Sequence, residues 1–221
     1  MRNIAIDGPA GAGKSTIAKT AAKELGYIYV DTGALYRAVG YYVLNKNIDP
    51  KDEQGVGKIL NEIEVALKFV DGEQRVFLNG EDVSSKIRTP EMSMYASAVS
   101  AHPSVRTFLF ETQRKLAREN DVIMDGRDIG TVVLPNADVK IFLTASPEER
   151  AKRRYDELIL KGQTVEFDDI LKDVITRDYN DSHRAVAPLK QADDAIFLDT
   201  TGNTFEQSVE LIISTIKENL K

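Results

Sequence analysis

The residues best suited to chemistry lie near the start of the chain, in the run GPAGAGKST. Its glycines permit φ > 0 and let bare backbone N–H groups approach an anion. Lys14 adds a mobile positive charge, and the Ser15 hydroxyl is suited to Mg²⁺. The spacing is that of a phosphate-binding P-loop. We therefore expect a nucleoside triphosphate to be bound by Gly8, Pro9, Ala10, Gly11, Ala12, Gly13, Lys14, Ser15 and Thr16.

The flanking sequence supplies the strand and the helix that such a loop requires. Asn3-Ile4-Ala5-Ile6 predicts a short strand, and helical spacing of apolar residues predicts a helix from Ser15 to Leu25 that ends at Gly26. The helix would direct its unpaired N–H groups and its dipole toward phosphate. This context favours the phosphate-binding interpretation over the alternative, a glycine-rich turn with an exposed lysine.

Composition narrows the class of protein. The chain has 221 residues, 42% hydrophobic and 29% charged, which is typical of a globular protein with a sizeable core. The net charge of −6 argues against general binding to nucleic acid, and the absence of cysteine excludes disulfides, thiol chemistry and cysteine-based zinc sites. The sequence shows neither a membrane-spanning apolar run nor a signal-peptide pattern. We expect a cytoplasmic protein without a membrane partner, and a monomer.

Apolar runs alternate with helical patterns along most of the chain. This β-α-β-α order predicts an α/β fold with a doubly wound parallel sheet of five strands. The predicted strands are residues 3–6, 27–30, 122–124, 139–143 and 195–198. The predicted helices are residues 15–25, 34–44, 91–100, 104–120, 148–161, 168–184 and 205–220.

The alternating order breaks in the middle of the chain. A polar helix is predicted over residues 52–64, followed by two short alternating runs, residues 65–70 and 75–78, on either side of Asp71-Gly72. An Asp-Gly pair between two such runs is typical of a β-hairpin. We therefore expect a small antiparallel insertion beside the main sheet.

The carboxyl ends of the strands are where ligands bind in doubly wound sheets. Besides the P-loop, three predicted strand ends carry polar residues: Asp31-Thr32-Gly33, Asp125-Gly126-Arg127-Asp128 and Thr144-Ala145-Ser146. Asp125 follows three apolar residues, so its carboxylate is placed to hold a Mg²⁺-bound water. The alternative is an Asx-type turn before glycine, and the sequence leaves both interpretations open.

Two groups of charged residues occur at helical spacing. The first is Arg177, Asp181 and Arg184, and the second is Arg150, Arg153 and Arg154. The first group has the spacing i, i+4, i+7, so one helix face would carry all its members. Salt bridges within one helix and a solvated face on the other would explain both groups without a ligand. Because phosphoryl transfer between two anions requires several arginines, binding roles are the competing interpretation.

Aromatic and histidine side chains supply fewer candidate site residues than the charged side chains do. Tyr36 and Arg37 lie on the first turn of the helix predicted after Asp31-Thr32-Gly33, and Tyr36 is the tyrosine that we expect to contact a ligand. His102 and His183 are too few and too far apart for a metal site or a catalytic triad, so we expect structural roles for both. Positioning and electrostatics can carry phosphoryl transfer without them.

Five motifs are spread along the chain: GPAGAGKST at residues 8–16, DTGALYR at 31–37, DGRDIGTVVLP at 125–135, VKIFLTASPEERAKRR at 139–154 and RDYNDSHRAVAPL at 177–189. Together these motifs resemble the bacterial cytidylate kinase family. They follow the family's order and spacing over nearly the whole chain, and DGRD with RAVAPL is far more specific than the P-loop alone. The resemblance implies transfer of the γ-phosphoryl group of ATP to CMP or dCMP, with Mg²⁺.

The resemblance also implies a three-part kinase. Residues 1–40 and 98–221 would form the core, and residues 41–97 would form the enlarged insertion that binds the nucleoside monophosphate. Residues from about 146 to 163 would be a lid that carries arginines. Such a lid would close over the phosphates and exclude water, which suppresses hydrolysis.

Roles for individual residues follow from the same resemblance. Cytosine would be recognised by Ser97, Arg106 and Asp128. The acceptor phosphate would be bound by Arg37, Arg127 and Arg177, with Tyr36 packed beside the acceptor. The ribose would be bound by Asp181 and Arg184. The family often has serine at the position of Thr32, so a hydroxyl is kept but a methyl group is added.

The chemistry of the acceptor base and of the donor metal is consistent with these roles. Cytosine offers an amine as donor and a ring nitrogen and carbonyl as acceptors, so a carboxylate with arginine and serine can recognise it, whereas uracil inverts part of that pattern. The metal would be held by Ser15 and Asp125. The residues expected to act in catalysis are Lys14, Arg127, Arg150, Arg154 and Arg184.

Two alternative functions remain open on the sequence. Another P-loop kinase would use a different small acceptor, such as UMP, AMP or shikimate. A nucleotide-hydrolysing regulatory switch is the alternative from another class. The chain lacks an Asn-Lys-x-Asp guanine-reading motif, and a switch has no use for several acceptor-binding arginines.

Overall fold

The computed structural model describes residues 1–70 and 73–220. Its strands are β1 (Asn3–Asp7), β2 (Ile28–Asp31), β3 (Val65–Val70), β4 (Glu73–Leu78), β5 (Glu81–Asp82), β6 (Val122–Gly126), β7 (Val139–Thr144) and β8 (Ile196–Asp199). Its α-helices are α1 (Lys14–Leu25), α2 (Thr32–Asn45), α3 (Glu53–Ile59), α4 (Pro90–Val99), α5 (Pro103–Glu119), α6 (Pro147–Leu160), α7 (Phe167–His183) and α8 (Phe205–Asn219).

Within the described residues the strands form two sheets. The larger is a five-stranded parallel sheet in the order β2-β6-β1-β7-β8, and the smaller has the order β3-β4-β5. Strand β1 pairs in parallel with β6 on one side and with β7 on the other. This architecture confirms the predicted α/β fold with a doubly wound five-stranded sheet and a small antiparallel insertion.

The chain divides into two compact units, and the first comprises Met1–Tyr29 with the described residues from Asn120 onward. Its core forms where the apolar stripe of α1 and the buried face of α8 pack with the central strands, and its largest fully buried members include Ile4, Ile6, Ile123, Ile141, Leu143 and Ile212. A smaller cluster joins α6 to α7 through Ala151, Leu158, Ile170 and Val174. The helices therefore bury the apolar stripes that their sequences present.

The second unit is Val30–Glu119, described apart from residues 71 and 72. Helix α2 approaches α4 closely because residue 40 is glycine, since a Cβ there would lie 2.9 Å from the Cβ of Tyr95. Strands β3 and β4 pair antiparallel in the register Val65↔Leu78, which confirms the predicted hairpin strands. The turn predicted at Asp71-Gly72 lies outside the described residues.

Several element boundaries differ from the prediction. The polar helix predicted over residues 52–64 ends at Ile59, and Leu60–Glu62 form a short 3₁₀ turn. Ile63 then becomes extended and buried, because it leads into β3 and packs in the core. The two-residue strand β5, which pairs with β4, was not predicted because so short a segment shows no alternation.

Candidate functional site

The P-loop joins β1 to α1 as predicted. Gly8 has a φ of 148°, and a Cβ there would lie only 1.9 Å from the carbonyl oxygen of Leu143, so glycine alone fits beside β7. Gly13 is the N-cap of α1 in the left-handed conformation, with a φ of 84°. The loop therefore leads directly to the unpaired N–H groups of the first turn of α1, which suit an anion.

Lys14, the lysine of this loop, is buried, with 5% of its surface exposed. Its Nζ donates to the carbonyl oxygen of Pro9 at 2.7 Å. Burial and then the charge of Arg127 lower the pKa of Lys14 to about 7, although Asp125 and Asp7 act in the opposite direction. A phosphate beside this amine would favour its charged form, so anion binding and protonation of Lys14 support each other.

Asp125 lies near the end of β6 and is 4% exposed. Its two carboxylate oxygens accept from two hydroxyls, that of Ser15 at 2.8 Å and that of Tyr29 at 2.9 Å. The structure thus brings together the two residues expected to hold Mg²⁺. A serine hydroxyl beside a carboxylate fits this ion, which prefers oxygen ligands and keeps several waters.

Asp7 is a site residue for which the sequence predicted no role. It ends β1 and is 4% exposed, and its carboxylate accepts from the backbone N–H groups of Ile129 and Gly130, both at 2.7 Å. Burial raises the pKa of Asp7 to about 6, against the lowering effect of these two bonds. The sequence shows an acid directly before the P-loop, but its partners lie more than a hundred residues away, so its role could not be predicted.

The turn that Asp7 contacts is the one-turn π-helix Ile129–Val133, which directly follows Arg127 and Asp128. Asp128 occupies the N-cap position of this turn without a capping bond from its side chain. Instead, Asp128 forms a buried ion pair with Arg184, at 3.4 Å.

Arg127 and Asp181 form the second ion pair of this region, with 2.8 Å between Nε and the carboxylate. Arg184 also donates through Nε to the carbonyl oxygen of Ala187 at 2.6 Å. Helix α7 ends at His183, and Arg184 has an extended backbone, with φ −64° and ψ 141°. The interpretation of a salt-bridge ladder along one helix is therefore wrong, because Asp181 and Arg184 pair with the turn after β6.

The charged side chains on and near α7 shift one another's pKa values. Burial acts to raise the pKa of Asp181, but the cations Arg127, Arg184 and Arg177 outweigh it and hold that pKa below its ordinary value. Burial and the nearby Arg127 lower the pKa of Arg177. The Nε of Arg177 is buried and has no hydrogen-bond partner among the described residues. A buried guanidinium nitrogen without a partner is costly unless an anion pairs with it.

Arg150 of α6 differs from the solvated residue that one interpretation of the sequence allowed, because it is 3% exposed. Its guanidinium donates to the carbonyl oxygens of Ala10 and Ala145, each at 2.9 Å, and forms a bidentate ion pair with Asp178 of α7. Arg150 therefore ties α6 to the P-loop and to α7. Nothing in the sequence identified Asp178 as the partner of Arg150.

The neighbouring arginines of α6 are half-buried. Arg153 contacts Glu149 at 3.3 Å and the carbonyl oxygen of Thr200 at 3.2 Å. Arg154 pairs with Glu157 at 2.9 Å. The partner of Arg154 lies on the surface of the same helix, so the Arg154 guanidinium is held less firmly than that of Arg150.

The remaining predicted site residues belong to the second unit. Asp31 caps α2 by accepting from the N–H of Ala34 and pairs with Arg37 at 2.7 Å. The Nε of Arg37 is buried without a hydrogen-bond partner among the described residues. Thr32, the first residue of α2, is buried.

Arg106 lies on α5 and is 2% exposed. Its guanidinium carbon is 5.8 Å from the ring centre of Tyr36, a cation–π distance. Ser97 lies on α4 and is half-buried. Of the histidines, His102 bonds through Nε2 with the carbonyl oxygen of Pro50 at 2.8 Å, a structural role as expected.

Comparison with known proteins gives one consistent family. The sequence model of the family described as cytidylate kinase matches residues 4–218. A cytidylate kinase of Caldicellulosiruptor bescii is 54% identical over 219 residues, covering 99% of this chain and 97% of the relative. A cytidylate kinase of Caldicellulosiruptor saccharolyticus is 53% identical over 211 residues, covering 96% and 93%.

Solved structures show the same fold at low identity. A crystal structure of an uncharacterized protein from Eubacterium ventriosum superposes with a TM-score of 0.54 at 13% identity, covering 98% of this chain and 99% of the other.

Among the helices in the described part of the chain, none is both long enough and apolar enough to cross a membrane.

Proposed function

The chain belongs to the cytidylate kinase family, and we propose that it transfers the γ-phosphoryl group of ATP to CMP or dCMP, giving ADP with CDP or dCDP. The observation that carries the proposal is the set of arginines around the P-loop. Arg150 donates to the carbonyl oxygen of Ala10 at 2.9 Å, and the charge of Arg127 lowers the pKa of Lys14 within the first unit. A donor-phosphate loop beside several cations is what transfer between two anions requires.

The donor side acts through the P-loop. Its backbone N–H groups and those at the start of α1 bind the ATP phosphates, and Lys14 leaves the carbonyl oxygen of Pro9 to meet the transferring group. Ser15 and Asp125 are the residues that would hold Mg²⁺. When bound, the ion neutralises charge that develops on the phosphates. Tyr29 keeps the Asp125 carboxylate in place.

The acceptor side uses side chains from separate segments. Because the Nε of Arg127 is bonded to Asp181, its terminal nitrogens are the ones that meet the acceptor phosphate. Arg177 and Arg37 are also assigned to the acceptor phosphate, and each has a buried Nε for which an anion would be a partner. Asp181 and Arg184 bind the ribose, and Tyr36 with Thr32 contacts the acceptor.

Base recognition is assigned to Ser97, Arg106 and Asp128. The carboxylate of Asp128 accepts a hydrogen bond from the cytosine amine, whereas the carbonyl of uracil would face it acceptor to acceptor. The carboxylate of Asp128 is buried and lies 3.4 Å from Arg184. Selection of cytosine therefore depends on pairing this buried acid.

The three-part organisation of the kinase belongs to the same proposal. Residues 1–40 and 98–221 form the core, residues 41–97 the insertion for the monophosphate, and residues from about 146 to 163 the lid. Arg150 fixes the base of α6 to the P-loop carbonyl of Ala10, so it acts as the anchored end of the lid. Arg154 can exchange Glu157 for a phosphate oxygen when the lid closes.

Cellular context completes the proposal. We place the protein in the cytoplasm as a monomer with small-molecule substrates and with neither nucleic acid nor membrane as a partner. The net charge of −6 supports the absence of general nucleic-acid binding.

A coupled assay of ADP release tests the proposed function. Purified protein with ATP and Mg²⁺ is given CMP, dCMP, UMP, AMP or shikimate in turn, with Lys14→Ala as the negative control. We expect CMP and dCMP to give the highest kcat/KM. Preference for another acceptor would replace the proposal with a different small-acceptor kinase, and ADP release without any acceptor would support a hydrolytic switch.

A further inference from the structure

Asp7 connects two segments that the proposed reaction uses. It is the last residue of β1, and the next residue, Gly8, begins the P-loop. Its carboxylate accepts one backbone N–H at each oxygen, from Ile129 at Oδ1 and from Gly130 at Oδ2. Those two residues begin the π-helical turn directly after Arg127 and Asp128.

The turn depends on this carboxylate. The first N–H groups of a helical turn have no partner within the turn, and a buried N–H without a partner is costly. The side chain of Asp128 does not cap the turn, so capping comes from β1. The Asp128 carboxylate pairs with Arg184 and, in the proposed function, with cytosine.

Close packing holds the turn against Asp7. A Cβ on Gly130 would lie 3.3 Å from the Asp7 Oδ2 and 3.2 Å from the Cδ of Lys140. The turn therefore has little space in which to shift toward β1. Loss of the carboxylate would remove the two bonds that orient it, and the preceding residues would then move with it.

We propose that Asp7 is a positioning residue that binds the turn after Arg127 and Asp128 to β1, and so sets where these two side chains meet the acceptor nucleotide. The inference rests on the proposed function and deepens it. Asp7 is buried, both its carboxylate oxygens accept backbone bonds, and it acts through Ile129 and Gly130. Its removal should therefore impair acceptor recognition more than binding of ATP.

The test compares Asp7→Asn with wild type. Asparagine keeps the shape but places an NH₂ group against one backbone donor, so one bond is lost and two donors oppose each other. We expect the KM for CMP to rise roughly ten-fold, with little change in the KM for ATP. The preference for CMP over UMP should narrow, because Asp128 is no longer oriented.

A matched control separates positioning from stability. Ile6→Val, also in β1 and fully buried, removes a methylene group but no hydrogen bond. Both variants are assayed at the same interval below their melting temperatures. If Asp7→Asn matched Ile6→Val in the KM for CMP and in the CMP:UMP ratio, or raised the KM values for ATP and CMP equally, the positioning role would be overturned.

Amide exchange tests the same inference without substrate. The N–H groups of Ile129 and Gly130 should exchange faster in Asp7→Asn than in wild type, while amides of α8 keep their rates. Unchanged exchange at these two amides would overturn the inference. A wild-type protein inactive toward CMP would instead contradict the proposed function, and the exchange result would still decide whether Asp7 holds the turn.

Discussion

The donor and acceptor sides of the first unit are built differently. The P-loop, residues 8–16, is continuous in sequence, and in the proposed function it binds ATP mainly through its backbone and one lysine. The acceptor cluster comes from the turn after β6, from α7 and from the segment after it, and consists of Arg127, Asp128, Arg177, Asp181 and Arg184. Four of its side chains are held by two ion pairs between segments, Arg127 with Asp181 and Asp128 with Arg184. One changed residue should therefore stop transfer at the P-loop, whereas changes in the cluster should alter which acceptor is used.

Lys14→Ala tests the donor half of this comparison and should have the largest effect. Removing a cation that stabilises charge on the transferring group should lower kcat by roughly 10²–10³-fold. The KM for CMP should change little, because the acceptor cluster is untouched. The measurement is turnover at saturating ATP and CMP. Lys23→Ala, an exposed lysine of the same helix, is the control. Wild-type turnover by Lys14→Ala would remove the P-loop from the mechanism.

Asp7, which links the two sides, should make stability depend on pH. Its pKa is raised from 3.8 to about 6 in the folded protein, so the folded state binds more protons between these values. Stability should therefore fall as pH rises from about 4 to 6, by about 3 kcal/mol from this group. Lys14 and Asp128 are the charged neighbours that act on Asp7.

Urea unfolding of wild type and Asp7→Asn at several pH values checks this expectation. The difference in unfolding free energy between the two proteins isolates the contribution of Asp7, because the other titrating groups are shared. If the difference in unfolding free energy is the same at pH 4 and at pH 6, titration of Asp7 does not make stability depend on pH.

Asp128→Ala tests the acceptor half. An unpaired buried polar group costs about 1–3 kcal/mol, so kcat/KM for CMP should fall roughly 5- to 150-fold and much more than kcat/KM for UMP. Asp138→Ala is the control, since it removes an exposed carboxylate that accepts the backbone N–H of Asn3 at 2.7 Å and has no role in the proposed acceptor site. Equal losses for CMP and UMP would mean that Asp128 acts only through stability.

Tyr29→Phe should have the smallest effect and tests how firmly Asp125, the proposed metal ligand on the donor side, is held. The change removes one of the two hydroxyls that donate to Asp125, a loss of about 1 kcal/mol. We expect Mg²⁺ to enhance ADP binding. The Mg²⁺ concentration that gives half of this enhancement should rise roughly five-fold in the variant. Calorimetric titration measures it, with Tyr27→Phe as the control. An unchanged Mg²⁺ requirement would separate Tyr29 from the metal site.

Most of the fold was predictable because its signals are local. Apolar runs and helical spacing gave all five strands of the main sheet and its principal helices, since period and capping residues act within a few positions. Predictions were wrong where tertiary packing outweighed local preference. Ile63 left the predicted helix for the core, and Arg184 left α7 to pair with Asp128.

The P-loop, its strand and helix, and the charged residues at the strand ends could be identified from the sequence. Their partners depend on how the chain folds. Asp7 meets Ile129 across 122 positions, and Arg127 meets Asp181 across 54. The physical reason is that local preferences act over one or two turns, whereas the pairing of a buried charge depends on which segments the folded core brings together.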